Sequence, residues 1–274
     1  MKKILSIAAI AFCTLAQAQV KMPAPSTTQT IKQDFGMGSL ELNYSRPNVK
    51  GRKVFGNLVP FNKVWRTGAN NATTITVSDE IMIGGVTLKA GKYGILSIPG
   101  KKEWTLIITK DVNVTSPAAY KQENDLVRVT ATPMKIKQKA ETFTMQFANI
   151  NYESCELHIK WANTMVSLPI TTNIKDRLKA DIEKMLQGDK PNYSQAANFY
   201  YEWEKDYAKA LVNINKAIDA NQKAFWLYLT RARIEKESGD KVAAKASAEK
   251  CVQLATDAKN DDYIKMGNEL IKGL

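Results

Sequence analysis

The sequence predicts an α+β protein in two parts: an antiparallel β-sandwich or jelly-roll-like domain followed by an all-α domain of paired helices. Three observations lead there. Apolar residues alternate with period two from Thr28 to about Thr172. From Asn173 onward the apolar spacing becomes that of helices. Beyond Asp206 the chain repeats itself at an interval of 34 residues.

The first element is an address. Met1-Lys2-Lys3 is basic, Ile4 to Leu15 is an apolar run, and Ala16-Gln17-Ala18 offers small residues for cleavage. This predicts a signal peptide over 1–18, and hence a periplasmic or secreted protein. As a membrane span the run is too short, because crossing takes roughly 20 apolar residues. Cys13 suggests lipidation, but Ile10-Ala11-Phe12 before it lacks the small residues such a site prefers.

Residues 19–172 form the predicted β domain. Strands are expected at Thr30–Phe35, Leu40–Tyr44, Thr73–Val77, Tyr93–Ile98, Trp104–Thr109, Leu126–Thr132, Thr142–Phe147, Cys155–Trp161 and Met165–Ile170. Gly84-Gly85 between Ile81-Met82-Ile83 and Val86-Thr87-Leu88 signals a hairpin. With no helices between them, these strands exclude a parallel α/β sheet. Lys110 to Asp125 reads as a surface loop.

Residues 173–190 hold a connector helix, with Ile174, Leu178, Ile182 and Leu186 on one stripe and Gly188 as its stop. Residues 191–274 carry the repeat. Asp206 aligns with Asp240, Ala210 with Ala244, and Ala217 with Cys251, at the period of tetratricopeptide repeats. The first helix of each pair departs from that consensus. Tyr263 to Ile271 supplies a closing helix.

The chain has 274 residues, 44% hydrophobic and 24% charged, which excludes disorder and coiled coil. Three Cys and one His exclude a disulfide scaffold and zinc fingers. No cofactor or metal is implied. Cys155 and Cys251 read as two buried thiols rather than a bridge. Of the net charge of +12, residues 19–172 carry +8 and residues 173–274 carry +2. An exported basic β domain suits an anionic glycan, a lipid headgroup or an acidic protein, and argues against nucleic acid. Lys135, Lys137 and Lys139 also suit a protected sheet edge.

The single His, His158, alternates with Leu157 and Ile159, so it is expected to face solvent with Glu156 and Lys160. The densest polar and aromatic cluster comprises Tyr44, Arg46, Arg52, Trp65, Arg66 and Asn70. Arg forks bind carboxylates or phosphates, and aromatic faces stack on sugars, so these six are the candidate ligand-binding residues. A structural role stands beside that reading and is preferred: the same residues would lock a long crossover onto the sandwich, with Arg66 bonding loop carbonyls. Gly-rich phosphate loops, Gly-x-Ser-x-Gly elbows and His-Glu-x-x-His patterns do not occur, and no catalytic residue is assigned.

Tyr44-Ser45-Arg46-Pro47, Gly51 to Gly56, Val64-Trp65-Arg66-Thr67-Gly68-Ala69-Asn70, and Ala90-Gly91-Lys92-Tyr93 through Ile98-Pro99-Gly100 resemble the domain of unknown function 2911. The resemblance implies an exported envelope protein of Gram-negative bacteria. Ala224-Phe225-Trp226 and Asn260 to Tyr263 are similar to the helical tail of longer members. It implies no activity. The expected function is a non-enzymatic binding or scaffold protein of the envelope, its helices contacting another protein. The alternative is a carbohydrate-binding or carbohydrate-active module, and an enzyme is the third choice. The candidate partners are an envelope protein or an anionic glycan, without an integral membrane span, and the sequence implies no oligomeric state.

Overall fold

A computed structural model describes residues 22–274, so the expected signal peptide, the cleavage expected near Ala18, and Cys13 lie outside the described residues. The chain divides into two compact units, one ending at Thr172 and the other beginning at Asn173.

The first unit is built from β1 (Thr27–Phe35), β2 (Gly38–Arg46), β3 (Thr74–Val77), β4 (Ile81–Ile83), β5 (Val86–Leu88), β6 (Gly91–Ile98), β7 (Trp104–Thr109), β8 (Asp125–Ala131), β9 (Met134–Ala148) and β10 (Ser154–Thr171). One sheet has the order β1-β2-β3-β6-β7-β8 and the other β5-β4-β10-β9. All strand pairings are antiparallel. Gly84 and Gly85, at φ 57° and 79°, supply the left-handed backbone that the β4–β5 turn needs. That hairpin leaves the first sheet after β3 and joins the second.

Alternation then decides what is buried. Leu42 and Tyr44 of β2, Ile95 of β6, Phe143 of β9, and Ile159 and Trp161 of β10 all enter one core, so the two sheets face each other. Each such side chain stabilises the fold by about 1.5–3 kcal/mol. The segment read as a surface loop is more than that. It forms short 3-10 turns at Pro117–Ala119 and Gln122–Asn124, and its Val114 is buried in a second cluster against Leu96 and Ile107.

β10 is folded on itself. Eleven residues of extended chain span roughly 36 Å, yet Ser167 Oγ lies 2.6 Å from Glu156 Oε2, and Thr172 N lies 3.0 Å from Glu153 O. The chain therefore reverses at Ala162-Asn163, where Ala162 takes φ 51°. Its two arms are the two strands expected from the sequence. β9 pairs with both arms, Lys160 opposite Thr144 on one and Met165 opposite Met134 on the other, so it passes around the tip of the reversal.

The second unit comprises α1 (Lys175–Leu186), α2 (Tyr193–Phe199), α3 (Tyr207–Ala220), α4 (Phe225–Glu237), α5 (Lys241–Asp257) and α6 (Asp261–Lys272). Asp206 and Asp240, 34 positions apart, each cap a helix by accepting from the backbone N–H three residues on, at 3.0 and 2.9 Å. Ala210, Ala244, Ala248 and Cys251 are fully buried, which lets the helices approach closely. Gly267 completes this: a Cβ there would lie 2.6 Å from Val252 Cγ2. A π-helical turn at Tyr200–Glu204, unmarked by any breaker residue, follows α2. Cys155 and Cys251 are both buried free thiols, and burial pushes Cys155 up to about 12, out of reach of thiolate chemistry.

Candidate functional site

The six candidate residues lie in or beside the sandwich, and each makes a bond to the fold itself. Tyr44 is buried, 1% exposed, and its hydroxyl donates to Gln29 Oε1 at 2.8 Å while meeting both the carbonyl and the N–H of Met145 at 3.0 Å. Burial pushes its phenol upward. Arg46 Nε donates to the Phe143 carbonyl at 3.1 Å and its Nη2 to Thr144 Oγ1 at 3.0 Å. Tyr44 and Arg46 thus bridge β2 to β9, from one sheet to the other.

Trp65 pairs its backbone with Ser97 of β6 at 2.7 and 2.9 Å, and its indole N–H donates to the Gly68 carbonyl at 3.0 Å. Its ring stacks on Trp161 and meets Trp104, Phe55 and Phe143 edge-on. Thr67, fully buried, donates to Ser97 Oγ at 2.9 Å. Arg66 Nη1 donates to the Thr115 carbonyl, while its Nε is buried without a partner among the described residues. Asn70 adopts φ 54° and donates to the Ser26 carbonyl at 2.9 Å. Arg52 bonds the carbonyls of Val49 and Asn48 at 2.9 and 2.6 Å. It also lines a groove of about 320 Å³ with Lys53, Lys139 and Asn163.

A cluster that sequence reasoning missed lies on the outer face of β10. Strand alternation predicts a solvent-facing His158, but its side chain is only 13% exposed and its Nε2 is 2.7 Å from Glu156 Oε2. Ser167 Oγ donates to the same oxygen at 2.6 Å, and Asn149 Nδ2 donates to Oε1 at 2.9 Å. These bonds, Ser167 first, hold the Glu156 carboxyl down at about 2. Period two placed Glu156 and His158 on one face; the reversal at Ala162, which brings Ser167 to them, has no Gly or Pro to announce it. Beside His158 lies a groove of about 500 Å³ whose other walls include Lys139, Lys160, Gln138 and Met165.

In the helical unit a groove of about 370 Å³ is lined by Lys190, Tyr193, Asn221 and Trp226, and Trp226 is 44% exposed. Among the described residues no helix is long and apolar enough to cross a membrane.

A comparison with curated proteins finds no match to the chain. Residues 26–170, more than half of the 274 and nearly all of the described sandwich, match the family model described as a protein of unknown function, DUF2911, and the chain belongs to that family.

Proposed function

We propose that the protein is an exported, non-enzymatic binding protein of the bacterial envelope, whose helical unit engages a peptide segment of another envelope protein. The exposed indole of Trp226 carries this reading. Tryptophan and tyrosine dominate the energetics of protein interfaces, and here Trp226 and Tyr193 line one groove with Lys190 at its side. Paired helices commonly present such surfaces to peptides. Export rests on the basic, apolar and small-residue order of residues 1–18.

In this reading the Tyr44, Arg46, Trp65, Arg66 and Asn70 cluster locks the crossover between β2 and β3 onto the sandwich. Its bonds to main-chain groups support that role. The test is capture from envelope extract by the wild type and by Trp226→Ala. A specific partner lost with Trp226→Ala supports the reading, and equal capture by both proteins, or none by either, removes it. Recovery of the protein in the cytosolic fraction would sink the export claim.

A further inference from the structure

The groove beside His158 combines features that together describe a ligand. Glu156 accepts from Ser167, Asn149 and His158, and a carboxylate can only accept, so the shared proton sits on His158 Nε2. In its neutral form a ring fixed in this way presents Nδ1 as an acceptor. No described residue bonds Nδ1, and the ring lines the groove. In that form the arrangement offers an oriented lone pair, held from behind by a carboxylate.

Around it the charge is positive. Lys160 is half-buried in the groove wall and pairs with no carboxylate among the described residues. Lys139, whose ammonium is 3.1 Å from Glu141, lines this groove and also the neighbouring one that holds Arg52 and Lys53. Ile136, Ala140 and Met165 add an apolar strip. A volume of about 500 Å³ lies within the range of small-molecule sites, roughly 300–1,000 Å³.

A ligand suited to these walls must bring a hydroxyl for the acceptor, an anion for the lysines and a short carbon skeleton for the strip. We propose that the groove on the outer face of β9 and β10 binds a hydroxylated organic anion, a sugar acid or sugar phosphate. Its hydroxyl donates to His158 Nδ1 and its anionic group lies against Lys160. The site shares no lining residue with the helical groove and stands whether or not that groove binds a peptide.

Because the chain contains one His, ring-nitrogen NMR of the untagged full-length protein reports this imidazole alone. The ligands are D-glucuronate, glucose 6-phosphate and, as the neutral control, methyl glucoside. We expect Nδ1 to shift on titration with an anion and to stay unmoved with methyl glucoside. A shift with glucuronate only identifies a carboxylate site, with glucose 6-phosphate only a phosphate site, and with both a general anion site. Lys160→Gln should weaken anion binding by about tenfold, the worth of one charged hydrogen bond, and Lys160→Arg should restore it. No shift with either anion at millimolar concentration, an equal shift with methyl glucoside, or equal binding by Lys160→Gln and wild type would overturn the proposal.

Discussion

The indole of Trp65 stacks on that of Trp161, centroids 5.8 Å apart and planes 15° from parallel. Trp65 belongs to the crossover after β2 and Trp161 to the second sheet, so this pair fastens a long connection to the core. Trp65→Ala removes one ring of that stack and opens space beside Trp104 and Phe143. A destabilisation of about 3 kcal/mol is expected, at the lower end for tryptophan truncation because Trp65 is only partly buried. Urea unfolding followed by near-UV circular dichroism measures it. A variant as stable as wild type would mean that the indole serves a ligand instead of the fold.

Tyr44 makes a second fastening, chemically unlike the first. Its hydroxyl accepts from the N–H of Met145 in the opposite sheet, and its single proton is shared between Gln29 Oε1 and the Met145 carbonyl. Tyr44→Phe keeps the ring and its edge contact with Phe143 while leaving the buried Met145 N–H without its partner. The expected cost is about 1–3 kcal/mol. Amide exchange at Met145 should accelerate in the variant, and unchanged exchange would refute the link.

How far the sequence foretells these contacts depends on their range. Alternation along Leu40, Leu42 and Tyr44 reveals which face is buried, because period two is a property of the strand itself. The partner across the core is not local: nothing near Tyr44 points to Met145, 101 positions away. The Trp65 to Asn70 segment stands out as a cluster by composition, yet its bonds to Ser97, Thr115 and Ser26 come from three distant places. His158 shows the same limit most sharply. Its face was readable, but its burial follows from Ser167 and β9 folding around it. Helix caps, by contrast, are local, as at Asp240, which follows Gly239 directly at a helix start.

Those caps provide a quantitative check on the repeat. Asp206 and Asp240 accept from Lys209 N and Ala243 N in matching geometry. Asp206→Ala and Asp240→Ala should each cost about 1 kcal/mol. The double variant should cost the sum, because the caps share no bond. Chemical denaturation monitored by helical circular dichroism separates the cases. A double variant no worse than either single one would show that one helix start does not need its cap.

The two units should respond to acid in opposite directions through two glutamates. Glu156 is held down at about 2 by its Ser167, Asn149 and His158 bonds. Its contribution is present above the ordinary value of 4.5 and is lost as pH falls toward 2. Glu235 of α4 is raised, burial being the main cause, and its Oε2 is buried without a partner among the described residues. Its favourable contribution is complete below 4.5 and disappears as pH rises through its folded value. Ser247 and Arg231, whose Nε is 3.5 Å from Oε1, offset only part of the penalty. Thermal melts of Glu235→Gln against wild type should therefore show the variant gaining relative stability from pH 4.5 toward neutrality. Glu156→Gln should be less stable than wild type at pH 4.5 and converge on it only in stronger acid. If the Glu235→Gln difference does not vary with pH, that carboxyl is solvated and the buried, unpaired oxygen is not a feature of the folded protein.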